Sequence, residues 1–397
     1  MPRYLIDEQQ LKRNLEILKG VSDRSGAKIL LAQKAFSCTA VYPLCAKYLA
    51  GTTASSLFEA MHAKRHFPGE VHVFNPAFSP EEIDDVLSVV DHIVFNSPRQ
   101  LALYGEKARA RGVSVGLRVN PEVSVATTPA YDPCRPGSRL GTTRGALDKY
   151  WDDIRHSTTD SRYDSRQSTN GCRMSEVECP SIDGLHFHCL CEQGLDELKK
   201  VLAGFEEKFG ELLPKMKWVN FGGGHHITRE GYDVEGLVDL VKDFRSRHPH
   251  LEVYLEPGEA IALNAGTLES RVLEIQPKGE DGISNAILDV SAACHMPDVI
   301  EMPYTPPVIG ARKDAEGPCV YRFGGPTCLA GDEIGTYSFD APLSEGDQVV
   351  FGDMAIYTMV KNNTFNGINL PDIVVRRLDG TEELVRRFSY DDFACRL

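Results

Sequence analysis

A lysine that follows an apolar run near the start of the chain is a candidate nucleophile. Lys34 comes directly after ILLAQ, a segment typical of a buried strand. The amine of a lysine held in an apolar setting has a lowered pKa and can form a Schiff base with an aldehyde. A surface lysine just past a strand is the plain alternative, so the assignment depends on what else lies nearby.

Three glycines in the stretch NFGGGHH form a candidate anion site. Gly222, Gly223 and Gly224 leave their backbone N–H groups unhindered. Such groups bind phosphate where they point outward together. A turn at the end of the strand WVNF is an equal alternative on the glycines alone.

Histidines lie in two places that could serve a site. His186 and His188, in HFHC, share one face of a strand, and His225 and His226 follow the glycines. Four imidazoles suggest a metal, but no carboxylate stands at a spacing like that of HExxH. A histidine at the end of a strand can equally stack on a flat ring. We therefore expect no metal, and a ring-stacking role for His188.

Two charged residues end further strands. Arg118 closes SVGLR, and Glu256 stands in LEPGEA, where a strand stops at a Pro-Gly turn. A carboxylate in that position could bind a pyridinium N–H and keep the ring nitrogen protonated. An exposed glutamate at a turn is the alternative.

Eight short β-rich runs must position these residues. Most are followed by a helical pattern, for example SPRQLALYGEKARARG. Strand–helix alternation repeated eight times predicts an α/β fold, a closed (β/α)8 TIM barrel, with an open doubly wound sheet as the alternative. The runs are AKILLAQKA, GTTASS, VHVFN, DHIVFN, SVGLRVN, GLHFH, WVNFGG and EVYLEPG.

The ends of parallel barrel strands meet at one mouth, where catalytic residues gather. Lys34, Arg118, His188, the three glycines and Glu256 all stand at such ends. A lysine for an aldehyde, a phosphate loop, a ring-stacking imidazole and a carboxylate for a pyridinium together indicate pyridoxal 5′-phosphate.

The rest of the chain predicts a second domain and an insert. Residues 1–6 are expected to be a strand that joins the second domain, 7–264 the barrel, and 265–397 a C-terminal β domain. Strands are expected in TLESRVLEIQP, NAILDVSA, CVYRFGG, DQVVFGD, AIYTMV and DIVVRRL. The polar, unpatterned segment of about residues 148–181 is expected to be a partly disordered surface excursion.

Composition excludes several classes of protein. The net charge of −14 disfavours a nucleic-acid partner. The chain has 11 cysteines without metal-site spacing, which suits reduced thiols and a cytoplasmic location. The sequence MPRYLIDEQQ lacks the pattern of a signal peptide, and no apolar run is long enough to span a bilayer, so no membrane association is expected.

Several motifs, taken together, resemble one family. The chain is similar to the pyridoxal-phosphate decarboxylases of the alanine racemase fold (fold type III), and within them to the carboxynorspermidine/carboxyspermidine decarboxylases. The resemblance covers nearly all of the chain except about residues 148–181. The matching motifs are QKAF, TASSLFEA, YDPCRPGSRLG, LHFHCLCEQ, NFGGGHH, LEPGEA, HMPDVIEMPYTP, GGPTCLAGDEIG and MVKNNTFNG.

The resemblance implies a decarboxylase with an active site shared across a homodimer. Lys34 would bind the cofactor covalently, and Cys328 of the partner subunit would return a proton after loss of CO2. The other roles implied are ring stacking by His188, a contact of Arg118 with the cofactor, phosphate binding by Gly222, Gly223, Gly224 and Tyr357, and a bond from Glu256 to the pyridine nitrogen.

Two departures from related families bear on the substrate. Ornithine- and diaminopimelate-type relatives have an arginine where this chain has Glu259, and an acidic residue where it has Leu329. An acidic Glu259 suits an extra amine in a small cationic substrate. Asp298 and Glu301 suit a distal ammonium, with a solvated turn as the alternative. Asp332 is also a substrate-binding candidate.

Two other functions stay open on the sequence. One is decarboxylation of diaminopimelate, ornithine or arginine on the same fold. The other is a cofactor-binding homologue without turnover, although Lys34 and Cys328 are both present.

Overall fold

The structure is a computed structural model, and it describes residues 1–157, 182–313 and 315–397. This part of the chain divides into two compact units. The barrel unit consists of Ile17–Gln33 and Tyr48–Pro257. The sheet unit consists of Met1–Glu16, Lys34–Lys47 and Gly258–Leu397.

Eight parallel strands close into a barrel, which confirms the predicted fold class and excludes the open sheet. Every neighbouring pair is parallel, and the last strand pairs with the first to complete the ring. The strands are β2 Lys28–Ala32, β3 Gly51–Ala54, β4 Glu70–Asn75, β5 His92–Phe95, β6 Ser114–Arg118, β7 Gly184–His186, β8 Trp218–Asn220 and β9 Glu252–Leu255.

Helices follow most of the barrel strands, as the strand–helix alternation predicts. Several begin at a side-chain cap. Ser56 accepts from the N–H of Glu59, and Ser97 accepts from the N–H of Gln100. The helices are α1 Glu8–Ser25, α2 Tyr42–Cys45, α3 Leu57–His66, α4 Ile83–Val89, α5 Pro98–Ala110, α6 Arg144–Ser157, α7 Leu195–Phe209 and α8 Val234–Arg247.

A tryptophan fills much of the barrel interior. Trp218 packs in one cluster with Leu30, Val94 and Tyr254. A Cβ atom built on Gly184 would lie 2.0 Å from the Trp218 ring, so β7 has room for this indole only because it carries glycine there. The barrel is therefore a packed core, and its chemistry is confined to the strand ends.

The sheet unit contains one mixed sheet. Its strands are β1 Arg3–Asp7, β10 Gly266–Gln276, β11 Ser284–Leu288, β12 Cys319–Gly324, β13 Glu333–Phe339, β14 Gln348–Phe351, β15 Asp372–Arg376 and β16 Glu382–Arg386. Their order in the sheet is β13-β12-β11-β10-β1-β15-β16, with β14 also paired to β10, and β1 lies between β10 and β15. The short helices of this unit are α9 Glu259–Ala262, α10 Ala292–His295, α11 Asp298–Glu301, α12 Thr358–Lys361 and α13 Tyr390–Ala394.

Two predictions about local structure differ from what is observed. The segment AIYTMV is not a strand: Tyr357 has φ +55, which breaks an extended backbone, and α12 begins at the next residue. The predicted insert begins inside a helix, because residues 148–157 are the end of α6. Residues 158–181 lie outside the described residues. Among the described helices, none has the length and apolar character needed to cross a membrane.

Candidate active site

Glu256 lies just past the end of β9, at the strand-end face of the barrel unit, and is only 6% exposed. Asn220 Nδ2 donates to its Oε1 at 2.7 Å, and its Oε2 lies 3.2 Å from His186 Nε2. Burial works against the charged form of Glu256, but the neighbouring His186 holds the pKa of this carboxyl well below its usual range. The side chain is therefore an ionised acceptor in a site with little water.

The three glycines form a loop into which no side chain fits. A Cβ atom on Gly223 would lie 2.1 Å from the carbonyl oxygen of Glu256, and one on Gly224 would lie 2.0 Å from that of Leu190. Gly222 and Gly224 also have positive φ values of 72° and 85°. Glycine is required here by both the backbone conformation and the close approach of the neighbouring loops.

Two of the glycine N–H groups donate to side chains of the protein, which differs from the prediction that these groups are left open for an anion. Gly222 N–H donates to Asn220 Oδ1 at 2.8 Å, and Gly223 N–H donates to His188 Nδ1 at 3.2 Å. Asn220 engages the first of these groups and His188 the second. The N–H groups of His226 and Ile227 donate to Gln193 O and His225 O, so a phosphate at this loop would depend on Gly224 and His225.

His188 and Arg118 are brought together at the same face of the barrel. Arg118 Nη2 donates to the carbonyl oxygen of His188 at 2.9 Å, and its guanidinium lies 4.5 Å from the centre of the Phe74 ring. Burial lowers the pKa of Arg118. The His188 side chain is 14% exposed, so its ring borders the site without being enclosed.

The histidines considered for a metal separate into two environments. His186 and His188, with Glu256, bring ligand atoms to within 4.8 Å of one another, a spacing that a metal could use. His225 instead pairs through Nδ1 with the Tyr232 hydroxyl at 2.7 Å, and burial lowers its pKa to about 4. His226 lies beside Arg229, and burial lowers its pKa to about 4 as well.

The remaining predicted residues belong to the sheet unit. Lys34 is exposed, in the turn after β2. The N–H of Tyr357 donates to the carbonyl oxygen of Ala35 at 2.7 Å, so the backbone of Tyr357 lies beside the residue that follows Lys34. The left-handed backbone of Tyr357 is a local strain that this contact helps to hold.

Cys328 is exposed on a loop that two polar side chains hold in place. The N–H of Cys328 donates to Asn366 Oδ1 at 2.9 Å. Asp332 is 4% exposed and accepts hydrogen bonds from the Ser291 hydroxyl at 2.9 Å and the Thr327 hydroxyl at 2.7 Å. These contacts favour a role for Asp332 in fixing the loop over the direct substrate binding considered above.

The acidic residues predicted for a distal ammonium already have a cationic partner. Asp298 and Glu301 are the first and last residues of α11, and Lys361 Nζ contacts a carboxylate oxygen of each. Glu259 is half-buried at the start of α9.

Three residues that contact the predicted site residues were not assigned a role from the sequence. Asn220 connects the glycine loop to Glu256, Asn366 holds Cys328, and Lys361 joins the two acids. The signal for Asn220 is a polar residue inside the apolar run WVNF. Lys361 and Asn366 both lie in the motif MVKNNTFNG, but only their long-range contacts reveal what they do.

The barrel residues fit pyridoxal phosphate. An ionised, buried carboxylate suits a protonated pyridine nitrogen, a histidine ring borders the same site, and a side-chain-free loop suits a phosphate. A lysine for the aldehyde is available in Lys34, in the sheet unit.

Comparisons with known proteins agree with this cofactor. The family model described as pyridoxal-dependent decarboxylase, C-terminal sheet domain, matches residues 4–355. The chain is 42% identical to a carboxynorspermidine/carboxyspermidine decarboxylase of Campylobacter jejuni, over 100% of this chain and 98% of that protein. It is 40% identical to a carboxyaminopropylagmatine decarboxylase of Synechocystis, over 100% of this chain and 95% of that protein.

A solved structure supports the same assignment. The crystal structure of carboxynorspermidine decarboxylase from Campylobacter jejuni, complexed with norspermidine, has a TM-score of 0.84 and 40% identity, with 100% of both chains covered. The predictions of family, fold and cofactor are confirmed by these matches. The chain belongs to the pyridoxal-dependent decarboxylases.

Proposed function

We propose that this protein decarboxylates carboxynorspermidine, carboxyspermidine or both, in polyamine biosynthesis, as a cytoplasmic homodimer. The single observation that carries the chemistry is the buried carboxylate of Glu256, which contacts Asn220 and His186 in the barrel beside the glycine loop. The full-length similarity to a decarboxylase of these two carboxy-polyamines supports the substrate class.

Pyridoxal phosphate, when bound, supplies the electron sink that makes loss of CO2 from an α-amino acid possible. Glu256 serves this chemistry by holding a proton at the pyridine nitrogen. Asn220 and His186 orient that carboxylate. His188 would pack against the flat ring, and Arg118 fixes the backbone at His188.

Lys34 and Tyr357 are the residues of the sheet unit proposed to hold the cofactor. Lys34 would hold the cofactor through its amine, which is the group suited to the aldehyde. Tyr357 and, in the barrel unit, the N–H groups of Gly224 and His225 would bind the phosphate. The contact of Tyr357 N–H with Ala35 O supports this pairing, because it brings the backbones of the two segments together.

Cys328 is proposed to return the proton to the carbon that has lost CO2, in the active site of the partner subunit. Its exposure on a loop of fixed shape suits that role. The adjoining Leu329 and Phe365 are each 44% exposed, and an apolar edge of this kind is stabilised when a second subunit covers it.

Three carboxylates of the sheet unit are proposed to bind the amines of the substrate. They belong to Asp298, Glu301 and Glu259. Carboxylates make strong charge-assisted hydrogen bonds to ammonium groups. The distal carboxylate of diaminopimelate would be repelled by these residues. The repulsion disfavours diaminopimelate as a substrate. Ornithine and arginine have cationic ends, and the observation against them is Leu329 in place of an acidic residue.

A second candidate substrate is carboxyaminopropylagmatine, because a decarboxylase of this compound is 40% identical over the whole chain. It differs at the distal end, where a guanidinium replaces the primary ammonium. The same acidic residues could accept hydrogen bonds from either group.

The test is CO2 release by the purified holoprotein from all three carboxy compounds and diaminopimelate, with Lys34→Ala as the inactive control. We expect one of the three to exceed diaminopimelate by at least about a hundredfold in kcat/KM, since unpaired buried polar groups penalise the wrong ligand. No CO2 from any of them, or a preference for diaminopimelate, would refute the proposal. Metal analysis of the active protein tests the alternative that the histidines bind a metal.

A further inference from the structure

One ammonium group of the chain bridges the two carboxylates proposed to bind the distal end of the substrate. Lys361 Nζ contacts Asp298 Oδ1 and Glu301 Oε2. The side chains of Lys361, Asp298 and Glu301 are 31%, 14% and 57% exposed. The bridge therefore lies at the surface of the sheet unit, where a ligand can reach it.

Both sides of the bridge are fixed by backbone contacts. The N–H of Glu301 donates to Pro297 O at 2.9 Å, which closes α11 around the two acids. The N–H of Lys361 donates to Tyr357 O at 2.9 Å, in α12. Asn363 then ties the following segment to α10, with its Nδ2 donating to Ala293 O at 2.7 Å. The backbones that carry the three charged side chains are thus held in place on both sides of the bridge.

The charges at the bridge suggest what it does. Burial lowers the pKa of Lys361, but its hydrogen bonds to Asp298 and Glu301 outweigh this and raise it, so the amine is charged. Two carboxylates and one ammonium leave one formal negative charge. An ammonium of a bound polyamine would need the same carboxylate oxygens that Lys361 now uses.

We propose that Lys361 is a specificity-determining residue that competes with the distal ammonium of the ligand for Asp298 and Glu301. This inference rests on the proposed function, because it takes the ligand to be a polyamine or its carboxylated precursor. The tethered amine lowers the affinity for every ligand whose binding requires these oxygens, since only the fraction of molecules with the bridge open can bind. The polyamine product is one such ligand, so its affinity is lowered as well.

The experiment is calorimetric titration of the holoprotein with norspermidine and with spermidine. The variants are Lys361→Met, which removes the competitor, and Lys361→Arg, which keeps the positive charge. Lys361→Gln is a second neutral variant in case the first folds poorly. Lys47→Met, at an exposed lysine of the same unit, is the matched control.

We expect Lys361→Met and Lys361→Gln to bind norspermidine about threefold tighter or more, in line with the strength of partly exposed ion pairs. Lys361→Arg and Lys47→Met should stay within about twofold of the parent protein. Adding Asp298→Asn to Lys361→Met should cancel the gain, because the acceptor is then lost.

Two results would overturn the inference. One is an unchanged or weaker affinity in both neutral variants. The other is an equal gain in Lys361→Arg, which would mean that packing and not charge is responsible. The failure of the proposed function looks different: the parent protein would then neither bind norspermidine nor release CO2 from the carboxylated precursors.

Discussion

At the scale of single residues, the chemistry depends on keeping one buried carboxylate charged. Glu256 is enclosed, and burial alone would favour its neutral form. His186 at 3.2 Å and the amide of Asn220 at 2.7 Å stabilise the anion instead. A charged acceptor in a dry site is worth far more than the same group in water, which is why this residue is a sensitive place to test the mechanism.

Glu256→Gln removes the charge while keeping the size of the side chain and an oxygen for Asn220. We expect the fold to survive and kcat to fall by at least about a hundredfold, because a neutral amide does not hold a proton on the pyridine nitrogen. The measurement is steady-state turnover together with the cofactor absorbance spectrum.

Glu252→Gln is the matched control, since it changes the same residue type at the opposite end of β9, beside Lys28 and Tyr254. Its turnover should stay within about twofold of the parent protein, as expected for a substitution far from the site. Near-normal turnover in Glu256→Gln would contradict the assigned role of this carboxylate.

At the scale of elements, the glycine loop leaves no room for a side chain. Gly224→Ala would place a Cβ atom 2.0 Å from Leu190 O at a φ of 85°. Strain of about 1–3 kcal/mol is expected at such a position, and relieving it requires the loop to move. We expect the dissociation constant for pyridoxal phosphate to rise roughly tenfold or more, since about 1.4 kcal/mol corresponds to tenfold in affinity.

The comparison variant is Gly210→Ala, at the end of α7. A Cβ atom there meets nothing within 4 Å, and the φ of −56° is ordinary for alanine. Cofactor titration followed by absorbance should give the parent value for Gly210→Ala. If Gly224→Ala also bound the cofactor normally, the loop would not be the phosphate site.

The elements were predictable from sequence to the extent that they follow local patterns. The eight barrel strands were visible as β-rich runs because parallel strands buried on both faces are almost continuously apolar. The same reasoning failed at Tyr357, where the φ of 55° interrupts an extended backbone and the N–H donates to Ala35, far away in the chain. The contact of Gly223 N–H with His188 and that of Asp298 with Lys361 are of the same non-local kind, so no local pattern could show them.

At the scale of the whole molecule, acid should destabilise the protein because it buries neutral histidines. The His92 ring stacks on His72 at 4.0 Å at the end of the barrel opposite the site. Burial, and then the neighbouring His72, lowers the pKa of His92 from 6.5 to about 3. The pKa of Glu70, which faces both rings, is held below its usual range by His72 and Lys28 despite burial, so this carboxylate also loses stabilising contacts in acid.

The direction in which stability changes with pH follows from the number of protons bound by the folded and the unfolded chain. Below pH 6.5 the unfolded chain takes up a proton on His92 that the folded barrel does not, so stability falls as the pH is lowered towards 3. Each such histidine adds a slope of about 1.4 kcal/mol per pH unit. Urea unfolding between pH 7.5 and 5, followed by the fluorescence of Trp218, which lies 5.5 Å from His92, measures this. His92→Asn should have a shallower slope, and an identical slope would exclude the histidine as a source.

The proposed homodimer predicts an effect that only a pair of different chains can show. If Lys34 of one subunit works with Cys328 of its partner, then Lys34→Ala and Cys328→Ala damage different halves of each active site. A heterodimer of the two variants contains one site with both defects and one site with neither. Each variant alone should be inactive or slow. Their mixture, after exchange of subunits, should recover about a quarter of the parent activity, because half of the dimers are mixed and each has one intact site.

If the residues instead come from the same chain, every site in the mixture keeps one defect, and the activity of the mixture is only the mean of the two variants. Turnover of the mixture, measured against each variant at the same total concentration, therefore distinguishes a shared site from a self-contained one.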